Sequence, residues 1–159
     1  MRCATLLLLL ASLAVGACSQ EPAPPGDKPA TPSFEIVTDL NQTMDWILDP
    51  AADVIWDSAG TIITAQGSQE LAPTTDEGWD AVVHASATLT EAANLLMLPG
   101  RSQGADWDTY AVGLIQAGKL ALKASQEKDA DALFEAGGRI YQVCRACHNQ
   151  YWVREDGRD

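Results

Sequence analysis

The sequence predicts an all-α domain, an antiparallel up-down-up-down four-helix bundle, and three observations lead there. Four segments place apolar residues at helical spacing, no alternating run of strand length competes with them, and the later connections between them are short. A chain of 159 residues has room for one such domain once its first thirty or so residues are set aside, leaving a body of about 125 residues. No internal repeat divides that body.

Residues 1–17 carry Arg2, the apolar run Leu6 to Leu10 with Leu13 and Val15, and the small pair Gly16-Ala17 before Cys18, the layout of a secretory signal peptide. The apolar stretch is shorter than the roughly 18 to 20 residues of a retained spanning helix. Leu13-Ala14-Val15-Gly16-Ala17-Cys18 resembles the lipobox of bacterial lipoproteins, which implies that Cys18 is acylated and becomes the mature N-terminus. An ordinary cleavage site that happens to precede a Cys is the alternative. By the same resemblance, Ser19 after the Cys favours the outer membrane in enteric-type bacteria. Residues 18–32 form the lipidated N-terminus and a tether: Ser19 to Pro32 holds five prolines in fourteen residues and too few apolar side chains to fold. At roughly 3.1 Å per residue it spans at most about 40 Å.

The bundle occupies residues 33–159. Its first helix, about 34–58, puts Val37, Leu40, Met44, Ile47 or Leu48, Ala51 and Ile55 on one face, and Asp49-Pro50 predicts a kink or break. Gly60 to Pro73 reads as irregular, with Thr61-Ile62-Ile63-Thr64 too short to found a sheet. The second helix opens on Thr74-Thr75-Asp76-Glu77, resembling a capping box, repeats Trp79, Val82, Ser86, Leu89, Ala93 and Leu96, and stops at Pro99-Gly100. After a short connection, Arg101 to Gly104, the third carries Trp107, Ala111, Leu114, Gly118, Ala121 and Leu122. Asp129 opens the fourth, with Leu133, Ala136 or Gly137, Ile140, Cys144, Cys147 and Tyr151 on its stripe. Gly137-Gly138 inside that helix costs roughly 1 kcal/mol per Gly relative to Ala, which points to close approach by something bulky.

Chemistry concentrates in Cys144-Arg145-Ala146-Cys147-His148. Covalent attachment of a c-type haem needs two thiols to add across two vinyl groups and an imidazole for the iron. At i, i+3 and i+4 on a helix, Cys144, Cys147 and His148 project from one face. The motif lies in a chain with an export signal, the context in which bacteria attach such haem, so one covalent haem c is the expected cofactor and His148 the expected iron ligand. A zinc site would need a fourth ligand, for which His84 is the only other His. A thioredoxin-like pair would sit where a helix starts after a strand, not near the end of a helix.

Across the iron, Met44, Met97 and His84 are the candidates in the mature chain. In an antiparallel bundle the start of the first helix and the end of the fourth share one end. At about 1.5 Å rise per residue, Met44 lies roughly 15 Å above that end and His148 roughly 10 Å, with Met97 only a few Å up and His84 roughly 20 Å. Met44 is nearest in height and is the expected sixth ligand; its alternative role is core packing. His84 flanks the apolar stripe of its helix and reads as a solvated or core histidine.

A four-helix bundle with Cys144-Arg145-Ala146-Cys147-His148-Asn149-Gln150-Tyr151 near its C-terminus resembles the cytochrome c-prime family and its low-spin relatives over about residues 34–155. Met44 falls where low-spin members carry an axial Met and high-spin members a bulky apolar residue. The resemblance implies a bacterial periplasmic haem protein, frequently dimeric through the first helix, that transfers electrons or, in high-spin members, binds nitric oxide. This sequence departs from the family at Trp152: members typically place Arg or Lys there, four residues after the haem His, and here the nearest is Arg154.

The chain has 10 basic and 22 acidic residues, a formal charge of −12 that becomes one unit more negative once Arg2 leaves with the signal. Nucleic acid and anionic lipid surfaces are therefore poor partners, and the charge serves either solubility alone or steering toward a redox protein with a basic docking surface. The expectation is a membrane-anchored electron carrier with His148/Met44 ligation, the alternative a five-coordinate haem protein binding nitric oxide or carbon monoxide. No acid-base constellation accompanies the motif to suggest an enzyme. Trp46 and Ile36 are candidate dimer contacts on the first helix.

Overall fold

The computed structural model describes residues 34–152, and the expected signal peptide, Cys18 and the tether lie outside these residues. Four helical columns pack against one another, and the α-helices they contain run from α1 to α5. The first column opens as α1 (Leu40–Thr43), passes through a π-helical segment (Met44–Leu48) and continues as α2 (Asp49–Asp57). It starts later than residue 34 because Asp39 and Gln42 form a reciprocal capping box there. The expected kink at Pro50 takes the form of that π segment. Proline near the start of α2 has no N–H for the α ladder and would crowd the carbonyl four residues back, and the wider register, with Asp49 N–H bonding to the Met44 carbonyl, accommodates it.

The segment expected to be irregular is instead a small hairpin, β1 (Thr61–Thr64) antiparallel to β2 (Gly67–Glu70). A β-branched Thr-Ile-Ile-Thr strand suffices when the partner is two residues away across a turn, and Gly67, at φ +137°, supplies the backbone a side chain would strain. Every residue of both strands is exposed, so the hairpin is an appendage rather than a layer of the core.

The second column is α3 (Asp76–Ala92), capped by the Thr75 hydroxyl, with a 3-10 extension (Ala93–Met97). Trp79, Val82, Ser86, Leu89, Ala93 and Leu96 are all buried, as their spacing predicts. The third is α4 (Ala105–Glu127) and the fourth α5 (Ala130–Tyr151), joined by Lys128 in the left-handed region and by Asp129 as N-cap. Cross-contacts give the directions. Lys128 at the end of α4 pairs with Asp76 at the start of α3, while Tyr110 near the start of α4 bonds Gln150 near the end of α5. Trp56 late in α2 bonds Gly137 early in α5, which closes the ring with adjacent helices antiparallel. Where α3 crosses α4, a Cβ on Gly118 would stand 2.3 Å from Thr90 Oγ1, so only glycine fits. No described helix is long and apolar enough to cross a membrane.

Candidate functional site

The candidate residues gather on the second half of α5, and two of its stripes set their directions. One stripe faces α4. Val143 lies against Gly113, the Tyr151 ring stands edge-on to Trp107 at 5.0 Å, and Tyr110 Oη donates to Gln150 Oε1 at 2.9 Å. These contacts pin the C-terminal turns of α5, where a helix would otherwise fray. Cys147, only 9% exposed, lies toward the core beside them.

The other stripe runs Gly137, Tyr141, Cys144, His148, at steps of four, three and four residues. Its first two members meet α2, and the third lies within the field of an α2 carboxylate. Trp56 Nε1 donates to the Gly137 carbonyl at 3.0 Å, the Trp56 and Tyr141 rings meet edge-on at 6.3 Å, and Cys144 feels the charge of Asp49. His148 is the next residue along the same face, half-buried, with its ring edge-on to Trp152 at 5.1 Å. The Trp56–Gly137 bond fixes the antiparallel register of the two columns, which extends from there toward Met44 on one and His148 on the other. It brings Met44 to within one residue of His148 in height, about 1.5 Å of axial rise.

Met44 is half-buried at the start of the π segment and packs against the core. His84 is exposed, away from this end, and Met97 closes the 3-10 segment half-buried. The structure thus brings Cys144, Cys147, His148 and the height of Met44 together and leaves His84 apart.

Cys144 and Cys147 are both free thiols. Burial pushes the Cys144 thiol up to about 11, with the neighbouring Cys147 and the Asp49 carboxylate adding to the effect, and burial raises Cys147 as well. This is the reverse of an activated dithiol, whose thiolate is stabilised at a helix N-terminus; these lie in the C-terminal half of α5. Among the described residues no three His, Cys, Asp or Glu side chains converge as ligands to one ion. The donor set is therefore two thiols and an imidazole within two turns of α5, with Cys147 toward the core and Cys144 and His148 on the α2 side, and its chemistry, thiols that can bond covalently beside a nitrogen ligand, fits a macrocycle attached through two thioethers. An open apolar groove of about 300 Å³ continues the stripe one to two turns earlier, lined by Trp56, Ala59, Phe134, Gly137, Gly138 and Tyr141.

The bulky neighbour expected at the glycine pair exists at one of them: a Cβ on Gly137 would meet Trp56 Cδ1 at 3.2 Å, while among the described residues a Cβ on Gly138 would meet nothing within 4 Å. Two features of this end escape a sequence reading. Arg101, which reads as connection, is buried and holds Thr38 and the Leu95 carbonyl. Asp49, which reads only as a cap before Pro50, reaches the environment of Cys144. Neither carries a local signal, because both interactions join segments far apart in the chain. Comparisons with family models, with characterised proteins and with solved structures give no match to this chain.

Proposed function

We propose that the protein is a lipid-anchored, one-haem c-type cytochrome that carries electrons on the periplasmic side of a bacterial membrane, with Cys144 and Cys147 as the thioether residues and His148 and Met44 as axial ligands. The observation that carries it is the Trp56–Gly137 bond, whose register, extended along both columns, brings Met44 to about the height of His148 on the face that Cys144 shares. A haem held between an imidazole and a thioether exchanges single electrons at a raised potential. The chain's own part is to fix that geometry. The Tyr151 and Gln150 contacts to α4 hold the imidazole's turn of α5, and the Trp56 bond holds the register of α2 and Met44 against it. Met44 sits at the π segment, a helix irregularity often found at functional sites.

The acidic surface suits a redox partner with a basic docking surface, and Trp46 and Ile36, 64% and 45% exposed, suit pairing of two copies through the first column. The chain acts as a carrier rather than an enzyme. The same packing of Met44 against core side chains supports a second reading, in which Met44 only fills space and a five-coordinate haem binds nitric oxide or carbon monoxide.

Expression with a bacterial haem c maturation system tests the first requirement. Denatured wild type should retain one haem by intact mass, and Cys144→Ala with Cys147→Ala should retain none. A wild-type chain that releases all its haem on denaturation would refute covalent attachment. Rapid carbon monoxide binding by the untreated ferrous protein would favour the second reading.

A further inference from the structure

Arg101 is the most deeply buried cation described, 9% exposed, yet neither ion pair among the described residues includes it. Among the described residues its Nη groups donate to neutral acceptors only, the carbonyl and hydroxyl of Thr38 and the Leu95 carbonyl, and its buried Nε–H finds no acceptor. A guanidinium cannot shed its proton to relieve such burial, so it calls for an anion with oxygen acceptors.

The position narrows the class of anion. Thr38 accepts from Arg101 and shares a hydrogen bond with Thr43, whose hydroxyl donates to the Asp39 carbonyl, and Thr43 adjoins Met44. The guanidinium is thereby anchored at the start of the first column, at the end of the bundle where α5 finishes. The Lys residues of α4 and its cap, Lys119, Lys123 and Lys128, lie toward the other end, and Arg145 is exposed on α5. Arg139 is exposed about two and a half turns before His148. Arg101 is thus the described cation both buried and on the Met44 side of this end. A haem bound through its vinyl edge to Cys144 and Cys147 presents two carboxylates on its opposite edge.

We infer that Arg101 is the buried counter-cation of a haem propionate, its free Nε–H donating to the carboxylate, and so a positioning residue that also raises the haem potential. This rests on the haem reading above. A guanidinium neutralises propionate charge that would otherwise favour ferric iron; Arg101→Gln removes it, and Arg101→Lys keeps it.

The test uses the full haem-loaded chain, after intact mass has established covalent haem on wild type. Potentiometric titration should show Arg101→Gln shifted toward the oxidised form about tenfold at fixed ambient potential, about 59 mV lower for one electron, and Arg101→Lys within about twofold of wild type. Wild type labelled with nitrogen-15 arginine supplies a measurement free of any folding defect: the Arg101 Nε–H resonance, assigned by its loss in Arg101→Lys, should move between ferric and ferrous states. An Arg101→Gln protein with attached haem and an unchanged potential would overturn the inference, as would an Nε–H resonance indifferent to iron oxidation state. Either result leaves the haem reading standing. Absence of covalent haem from wild type would instead overturn that reading, and this inference with it.

Discussion

The indole N–H of Trp56 donates to the main-chain carbonyl of Gly137 across 81 residues of sequence, and Gly137 has no side chain because Trp56 occupies its place. This one contact sets the register between the column bearing Met44 and the helix bearing His148. Trp56→Phe removes the indole donor while the Gly137 carbonyl keeps its place in the α5 ladder, so the expected loss is that of one hydrogen bond, about 1 kcal/mol. Urea unfolding of the haem-free chain measures it.

Gly137 and Gly138 should respond oppositely to alanine. At Gly138 the new methyl enters open space, so Gly138→Ala should stabilise the haem-free chain by about 0.5–1 kcal/mol through helix propensity. At Gly137 it meets Trp56 Cδ1 at 3.2 Å, and displacing that ring should cancel the gain or reverse it. Equal stabilisation at both positions would contradict the packing.

Gly118→Ala should destabilise by about 1–3 kcal/mol, because its methyl would stand 2.3 Å from Thr90 Oγ1, which is tied to the Ser86 carbonyl at 2.7 Å. Thr90→Ala removes the obstructing hydroxyl. A double-mutant cycle should therefore show the two changes coupled by more than about 0.5 kcal/mol.

The raised Cys144 thiol ties the stability of the chain with both thiols free to alkaline pH. In the fold the thiol keeps its proton to about 11, while in the unfolded chain it loses it near 9.0. The unfolded state binds fewer protons over that window, so the contribution is full below about pH 9 and is lost as pH rises toward 11. Two units at 1.36 kcal/mol each, discounted for a thiol that is only partly shielded, give about 1–2 kcal/mol. Cys144→Ser should flatten that part of the pH dependence, with urea midpoints compared on either side of the window.

Much of the bundle is legible in the sequence because helix spacing alone selects a buried face: the stripes of α3 and α4 and the start of α5 at Asp129 come directly from it. The hairpin is not, since four exposed residues per strand carry no burial pattern and its turn, Ala65-Gln66, lacks the usual Asn-Gly or Asp-Gly signal. Pro50 signals an irregularity but not its kind, since a break, a kink and a π segment would each accommodate its missing N–H. In the candidate site, Cys144, Cys147 and His148 are fixed by local spacing. Met44 needed bundle geometry, and Arg101 needed a hydrogen bond to a residue 63 positions away.

The oxidised and reduced absorption spectra of haem-loaded wild type beside Met44→Ala test the proposed ligation most directly. With Met44 on the iron, oxidised wild type shows the weak far-red band of sulfur-to-iron ligation and a low-spin reduced spectrum, and Met44→Ala loses the band and becomes high-spin. Matching high-spin spectra from the two proteins would contradict it, making Met44 a core methionine and the haem a five-coordinate gas-binding site.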